Sequence, residues 1–142
     1  MTQLTEQDAR QMIAVVNTRN VDQIVEQYAD DATFQMPAFD SPLQGKEAIR
    51  NYLTGSFQAF PDWTLDITKV IVSGDETVLV NSVSGTHNGP LAGADGTPIA
   101  PTHQRFVEEQ MTRVVLNEQG KVKSLRAYGT PADLYRNLGL SK

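Results

Sequence analysis

Residues 102–128 read Thr-His-Gln-Arg-Phe-Val-Glu-Glu-Gln-Met-Thr-Arg-Val-Val-Leu-Asn-Glu-Gln-Gly-Lys-Val-Lys-Ser-Leu-Arg-Ala-Tyr. Two strand-like runs, 102–116 and 121–128, flank Asn117-Glu118-Gln119-Gly120, whose Asn and Gly suit a tight turn. The stretch is therefore a long antiparallel hairpin. Side chains alternate faces along a strand. Parity counted back from the turn places Phe106, Glu108, Gln110, Thr112 and Val114 on one face, and His103, Arg105 and Glu109 on the other. An apolar face with one carboxylate in it is the pattern to follow.

Upstream the same period of two continues. Residues 63–72 read as a strand, Ser73-Gly74-Asp75-Glu76 as a turn, and residues 77–87 as a strand with alternating apolar positions. His87 shares its parity with Leu79, Asn81, Val83 and Gly85. Residues 88–101 are rich in Gly and Pro and read as a long loop, a kind that often carries function. Antiparallel strands are thus expected over most of 63–128.

Before Pro61 the period is 3.6. Thr5-Glu6-Gln7-Asp8 has the form of a capping box and opens a helix over 5–17, with Ala9, Met12, Ile13 and Val16 on one face. Asn20 caps a second helix over 20–29, with Val21, Ile24, Val25 and Tyr28 as its buried stripe. Asp30-Asp31 reads as a turn, and residues 32–36 as a short strand stopped by Pro37. A third helix over 46–57 presents Ala48, Ile49, Tyr52, Leu53 and Phe57. Thr130-Pro131-Ala132-Asp133 opens a last helix over 131–138. Helices followed by a meander of long strands make an α+β domain spanning 1–142. Helices laid across a strongly curved sheet leave space, and that space is a natural ligand pocket.

Composition narrows the partners. The chain has 142 residues, a net charge of −5 and no cysteine. Its basic residues are scattered singly, so neither nucleic acid nor an anionic membrane is an expected partner. The first residues show no signal-peptide pattern and no apolar run reaches membrane-spanning length, so a cytoplasmic location is expected. His87 and His103 lack acidic neighbours at ligand spacing, so no metal is expected. The glycines at 85, 89, 93 and 96 do not form a phosphate loop.

Four segments taken together resemble the SnoaL-like polyketide cyclases (ester cyclases) of the NTF2-like superfamily. They are Tyr28-Ala29-Asp30-Asp31-Ala32-Thr33-Phe34; Pro42-Leu43-Gln44-Gly45-Lys46-Glu47-Ala48-Ile49 with Phe60-Pro61-Asp62; Gly85-Thr86-His87-Asn88-Gly89-Pro90-Leu91; and Gly120-Lys121-Val122 with Leu134-Tyr135-Arg136-Asn137-Leu138-Gly139. The resemblance implies a cone of curved antiparallel sheet with N-terminal helices on its concave face, and a homodimer. It also implies a pocket for a small hydrophobic carbonyl compound such as a polyketide ester, closed by aldol-type acid/base chemistry without cofactor or metal. Two positions depart from the family pattern. Gln35 stands where many relatives carry His, and Arg126-Ala127-Tyr128-Gly129-Thr130 lacks the acidic residue that epoxide-hydrolase-like members use to activate water.

Aldol chemistry needs a base beside a carbonyl and a donor for the enolate. His87, at the edge of the glycine-rich loop, and Glu108, inside by parity, are the catalytic candidates. Tyr28, Met36, Tyr52, Phe57, Trp63, Asn81 and Gln110 are the expected pocket residues. Two functions are compatible with this set: a cofactor-free cyclase or isomerase, and a ligand-binding protein of the same fold that does no chemistry. The apolar residues on both faces of 102–116 lead to a homodimer packed through the convex face.

Overall fold

A computed structural model describes residues 5–37, 39–92 and 97–129. The helix expected over 131–138 lies outside the described residues. Among the described residues there are three helices: α1 Glu6–Val16, α2 Val21–Val25 and α3 Lys46–Ala59. Eight strands accompany them: β1 Tyr28–Gln35, β2 Leu43–Gln44, β3 Thr64–Ser73, β4 Glu76–Thr86, β5 Leu91–Ala92, β6 Pro98–Ile99, β7 Arg105–Leu116 and β8 Val122–Tyr128. Six of them form one mixed sheet in the order β2-β1-β8-β7-β4-β3, while β5 and β6 pair separately within the long loop.

The capping box of α1 forms in both directions: Asp8 N–H donates to Thr5 Oγ1 at 3.0 Å, and Thr5 N–H donates to Asp8 Oδ2 at 3.2 Å. Beyond α1, Asn17 holds the edge strand β3. Its Nδ2 donates to Leu65 O, and its Oδ1 accepts from Leu65 N–H, both at 2.9 Å. Arg19, with φ 61°, donates from Nη1 to Trp63 O at 2.8 Å. The side chains after α1 thus fill hydrogen-bonding places that an edge strand would leave open, and they fix where Trp63 sits.

Two local expectations are corrected. The helix expected over 20–29 stops at Val25, with Glu26 as its C-cap, and Tyr28 opens β1 instead. The cause is pairing in the sheet: Val122 N–H donates to Gln27 O at 2.8 Å, and Tyr28 stands opposite Val122. Asp30-Asp31 is then not a turn between elements. Both are exposed residues where the register with β8 breaks, between Tyr28 and Thr33. The β1–β8 pairing is also parallel, whereas the other ladders of the sheet are antiparallel as expected.

Parity along β7 is as the turn dictates. Phe106, Glu108, Thr112 and Val114 are buried, whereas Arg105, Val107, Glu109 and Met111 are exposed. The facing residues of β4 are Gly85, Val83, Asn81, Leu79 and Thr77, all buried. The core joins this concave face to Ala9 and Ile13 of α1, Ile24 and Val25 of α2, and Ile49 and Leu53 of α3.

Candidate functional site

The helices do not fill the sheet. A cavity of about 240 Å³ remains between α1, α3 and the concave face. Strand β7 gives it Phe106, Glu108, Gln110 and Thr112; α3 gives it Tyr52, Leu53, Ser56 and Phe57. Tyr28 and Phe34 reach it from β1, Met36 and Phe39 from the loop that follows, and Trp63 from the turn before β3. Aromatic rings line it in two groups: Phe34 lies 5.4 Å and Phe39 5.0 Å from Tyr52, and Phe57 lies 5.8 Å from Trp63, ring centre to ring centre. A larger groove of about 640 Å³ runs along Met12, Gln23 and Gly120, but it is open to solvent and holds none of the candidate residues. The more sheltered, largely apolar cavity is the place where a ligand would leave water.

Glu108 is the carboxylate of this cavity, 7% exposed and buried beneath the helices. Gln110 Nε2–H donates to its Oε1 at 3.3 Å. Gly129, at the exit of β8, comes so near that an added Cβ would lie 3.5 Å from the same oxygen. Tyr52 stands within its field. Burial raises the tyrosine's pKa, a hydrogen bond with Ser56 opposes the rise, and the Glu108 charge adds to it. The Tyr52 hydroxyl therefore stays neutral and keeps its proton in the field of a buried carboxylate.

Asn81 is not among the cavity-lining residues. It lies one layer into the sheet wall, where its Oδ1 accepts from Thr112 Oγ1 at 2.9 Å and its Nδ2 is buried with no hydrogen-bond partner. The expectation for Asn81 is corrected to a support for Thr112, which itself lines the cavity.

His87 is also elsewhere. It is fully buried, not a partly exposed residue at the mouth, and it does not line the cavity. The loop after it folds back over it: His103 N–H donates to His87 O at 2.9 Å, and the Asn88 and Gly89 N–H groups donate to Ala59 O at 3.0 and 3.1 Å. The Thr102 N–H donates to His87 Nδ1 at 3.2 Å, with Thr102 Oγ1 at 3.0 Å. An acceptor Nδ1 leaves the ring proton on Nε2, and Nε2 is sealed without a hydrogen-bond partner. The Phe60 ring packs 5.6 Å away. Burial pushes the imidazole pKa below its usual value; the Gly89 backbone opposes this, and the charge of His103 adds to it. His87 is held as a neutral ring that ties the two ends of the 88–101 loop together.

Asp62 sets the adjoining corner. Its carboxylate accepts from Thr86 N–H at 2.7 Å and from Thr86 Oγ1 at 2.8 Å. Burial works to raise its pKa, but the two Thr86 bonds, with help from Arg105, outweigh it and hold the pKa low. Together these contacts anchor Phe60 to Trp63 against β4.

The structure therefore gathers Tyr28, Met36, Tyr52, Phe57, Trp63, Gln110 and Glu108 around one cavity and leaves His87 and Asn81 behind its wall. Sequence reasoning missed Ser56 and Phe39. Ser56 is four residues beyond Tyr52 on the same helical face, a spacing that points to it. Phe39 is an aromatic residue in a Pro-containing loop, a position that needs a burial site. Among the described residues, no three His, Asp or Glu side chains converge as a metal site would need, and no helix is long and apolar enough to cross a membrane.

The sequence matches the model of the SnoaL-like polyketide cyclase family over residues 7–138, and the chain belongs to that family. Solved structures share its fold. A protein described as a SnoaL-like polyketide cyclase from Jannaschia sp. CCS1 superposes with a TM-score of 0.80 at 16% identity, over 100% of this chain and 98% of that one. A protein with a ketosteroid isomerase-like fold from Catenulispora acidiphila DSM 44928, bound to trimethylamine, gives 0.76 at 18% identity, over 96% and 95%. The epoxide hydrolase/cyclase-like enzyme SalBIII, studied for pyran ring formation in salinomycin, gives 0.72 at 21% identity, over 92% and 96%. At these identities the likeness is one of fold. Among curated proteins, none matches the sequence.

Proposed function

We propose that this chain is a cyclase or isomerase that moves a proton on a small hydrophobic carbonyl compound, with Glu108 as the acid/base. One observation carries the reading: a carboxylate 7% exposed, in a largely apolar and aromatic cavity that Tyr52 also lines within the field of its charge. A carboxylate taken out of water is a stronger base toward a carbon acid than a solvated one. In the step we infer, Glu108 takes a proton from the carbon next to the carbonyl. The C–H electron pair moves into the enolate, and its charge falls on the carbonyl oxygen. Tyr52, held neutral, is the nearby donor for that oxygen. The enolate then takes one of two courses: where it is conjugated, Glu108 returns the proton to a different carbon of the conjugated system, which is isomerisation; otherwise its carbon attacks a second carbonyl and closes a ring. In the second case the new alkoxide takes the proton from Glu108, and the carboxylate is restored.

His87 has no part in that step. It is a neutral structural ring that holds the two ends of the 88–101 loop together. We further propose that the protein works as a homodimer joined at the convex face, where Val107, Met111 and Tyr128 are each nearly half exposed on neighbouring strands. The test of the proton-transfer reading uses 2-tetralone, a two-ring ketone with acidic protons beside its carbonyl. In D₂O the wild-type protein should incorporate deuterium at that carbon faster than buffer alone, as read by proton NMR. A protein that binds the ketone and leaves exchange at the buffer rate is a binder without chemistry.

A further inference from the structure

Among the polar groups that line the cavity, Tyr28 is one that the chemistry at Glu108 does not use. Tyr28 is 4% exposed and lines the cavity, yet no described residue hydrogen-bonds to its hydroxyl. It also differs from the orphaned atoms of Thr77, Asn81 and His87, which are sealed in protein. The Tyr28 hydroxyl is not among those sealed atoms, and the residue lines the cavity. Desolvation by burial keeps its pKa far above the usual tyrosine value, so it stays a neutral donor. A donor in an apolar space without an acceptor is costly, and a ligand oxygen removes that cost.

Its position is opposite that of Glu108. Tyr28 stands across from Val122, and Val122 from Leu116 at the far end of β7, whereas Glu108 is eight residues earlier on that strand. Side chains shorten the gap. Ring-to-ring steps of 6.1 Å from Tyr28 to Phe34 and 5.4 Å from Phe34 to Tyr52 bound the distance between the two tyrosine rings. Size is a separate limit. An apolar cavity of about 150 Å³ takes benzene, so one of this volume scales to about ten heavy atoms, the size of two fused rings.

We propose that the cavity selects a two-ring ligand with oxygen at both ends, a carbonyl beside Glu108 and an acceptor oxygen bound by the Tyr28 hydroxyl. The carbonyl end rests on the reading of Glu108 given above; the far end and the size limit do not.

Calorimetric titration of 2-tetralone, 6-hydroxy-2-tetralone and the three-ring ketone anthrone, against wild type and Tyr28→Phe, tests it. Wild type should prefer the hydroxyketone over 2-tetralone by about fivefold to tenfold, the worth of one neutral hydrogen bond. Tyr28→Phe should erase that preference and bind 2-tetralone within about twofold of wild type. Anthrone should bind more weakly than either. The ligand-free Phe variant should melt no lower than wild type, because the Tyr28 hydroxyl has no hydrogen-bond partner among the described residues. An equal preference in both proteins, a lower melting point for the variant, tightest binding of anthrone, or no binding of either tetralone at millimolar concentration would each overturn the proposal. If the preference behaves as described but Glu108 promotes no proton exchange, the base assignment fails and the two-ended ligand stands.

Discussion

His87→Ala separates a structural ring from a catalytic one, and its cost follows from three contacts. Thr102 N–H loses its acceptor, about 1–3 kcal/mol for a buried donor. The vacated space, with the lost contact to Phe60, adds about 2 kcal/mol, toward the low end for a large-to-small core change. Against these, the sealed Nε2–H disappears, which offsets about 1–2 kcal/mol. The net loss is roughly 2–3 kcal/mol, and for a chain of this size Tm falls by about 5–10 °C. His87→Asn is the informative partner. The Asn Oδ1 takes the place of Nδ1 as acceptor for Thr102 N–H, so Asn recovers about half of the loss. Gln carries its amide one bond farther and recovers little. Calorimetric melting of the three variants, with deuterium-exchange rates corrected for the folded fraction, decides the matter. An Ala variant that melts with wild type but loses exchange would refute the structural assignment and make His87 a catalytic group.

The same ring gives a pH dependence. Its folded pKa lies below the ordinary value of 6.5, so below that pH the unfolded chain takes up a proton that the folded chain refuses. Stability is then full above pH 6.5 and falls as the pH drops toward the folded pKa. Melting at pH 7.5 and 5.5 should show that fall in wild type and not in His87→Asn. Two glycines should respond with opposite signs. Gly89→Ala puts a Cβ 1.9 Å from the Gln58 carbonyl oxygen and should cost about 3 kcal/mol or more, whereas Gly55→Ala, exposed in α3 with nothing within 4 Å, should gain about 0.5–1 kcal/mol. Chemical denaturation measures both. Met111→Glu, on the convex face, should keep the melting curve cooperative and give a monomeric mass by light scattering where wild type gives a dimer.

What was legible in the sequence follows from how local each signal is. The hairpin at 117–120 set the parity of β7, and parity favoured Glu108 over Glu109 without deciding between them. The capping box at Thr5 and the stripe on α3 are likewise short-range patterns, and they placed α1, Tyr52 and Phe57. The parallel β1–β8 pairing joins residues almost a hundred positions apart. Nothing near Tyr28 announces it, and Asp30-Asp31 imitates a turn. His87 was misplaced for a related reason. Its parity was right, but its burial depends on a loop that returns through Thr102 and His103, with Gly89 lying close on Gln58 and Ala59. Such closure is a property of the whole loop and leaves no periodic trace. The free hydroxyl of Tyr28 was hidden in the same way, since the sequence presents that residue as one more apolar position on a helix.

The central claim is that Glu108 exchanges a proton with a carbon acid held in the cavity. Its most direct test is deuterium incorporation next to the carbonyl of 2-tetralone by wild type, Glu108→Gln and Glu109→Gln, each checked for an unchanged melting curve. Glu108→Gln keeps the shape of the side chain and loses the base, so its rate should fall by about two to four orders of magnitude. Glu109→Gln, on the opposite face of the same strand, should stay within about twofold of wild type. A folded Glu108→Gln protein that exchanges deuterium at the wild-type rate would contradict the account.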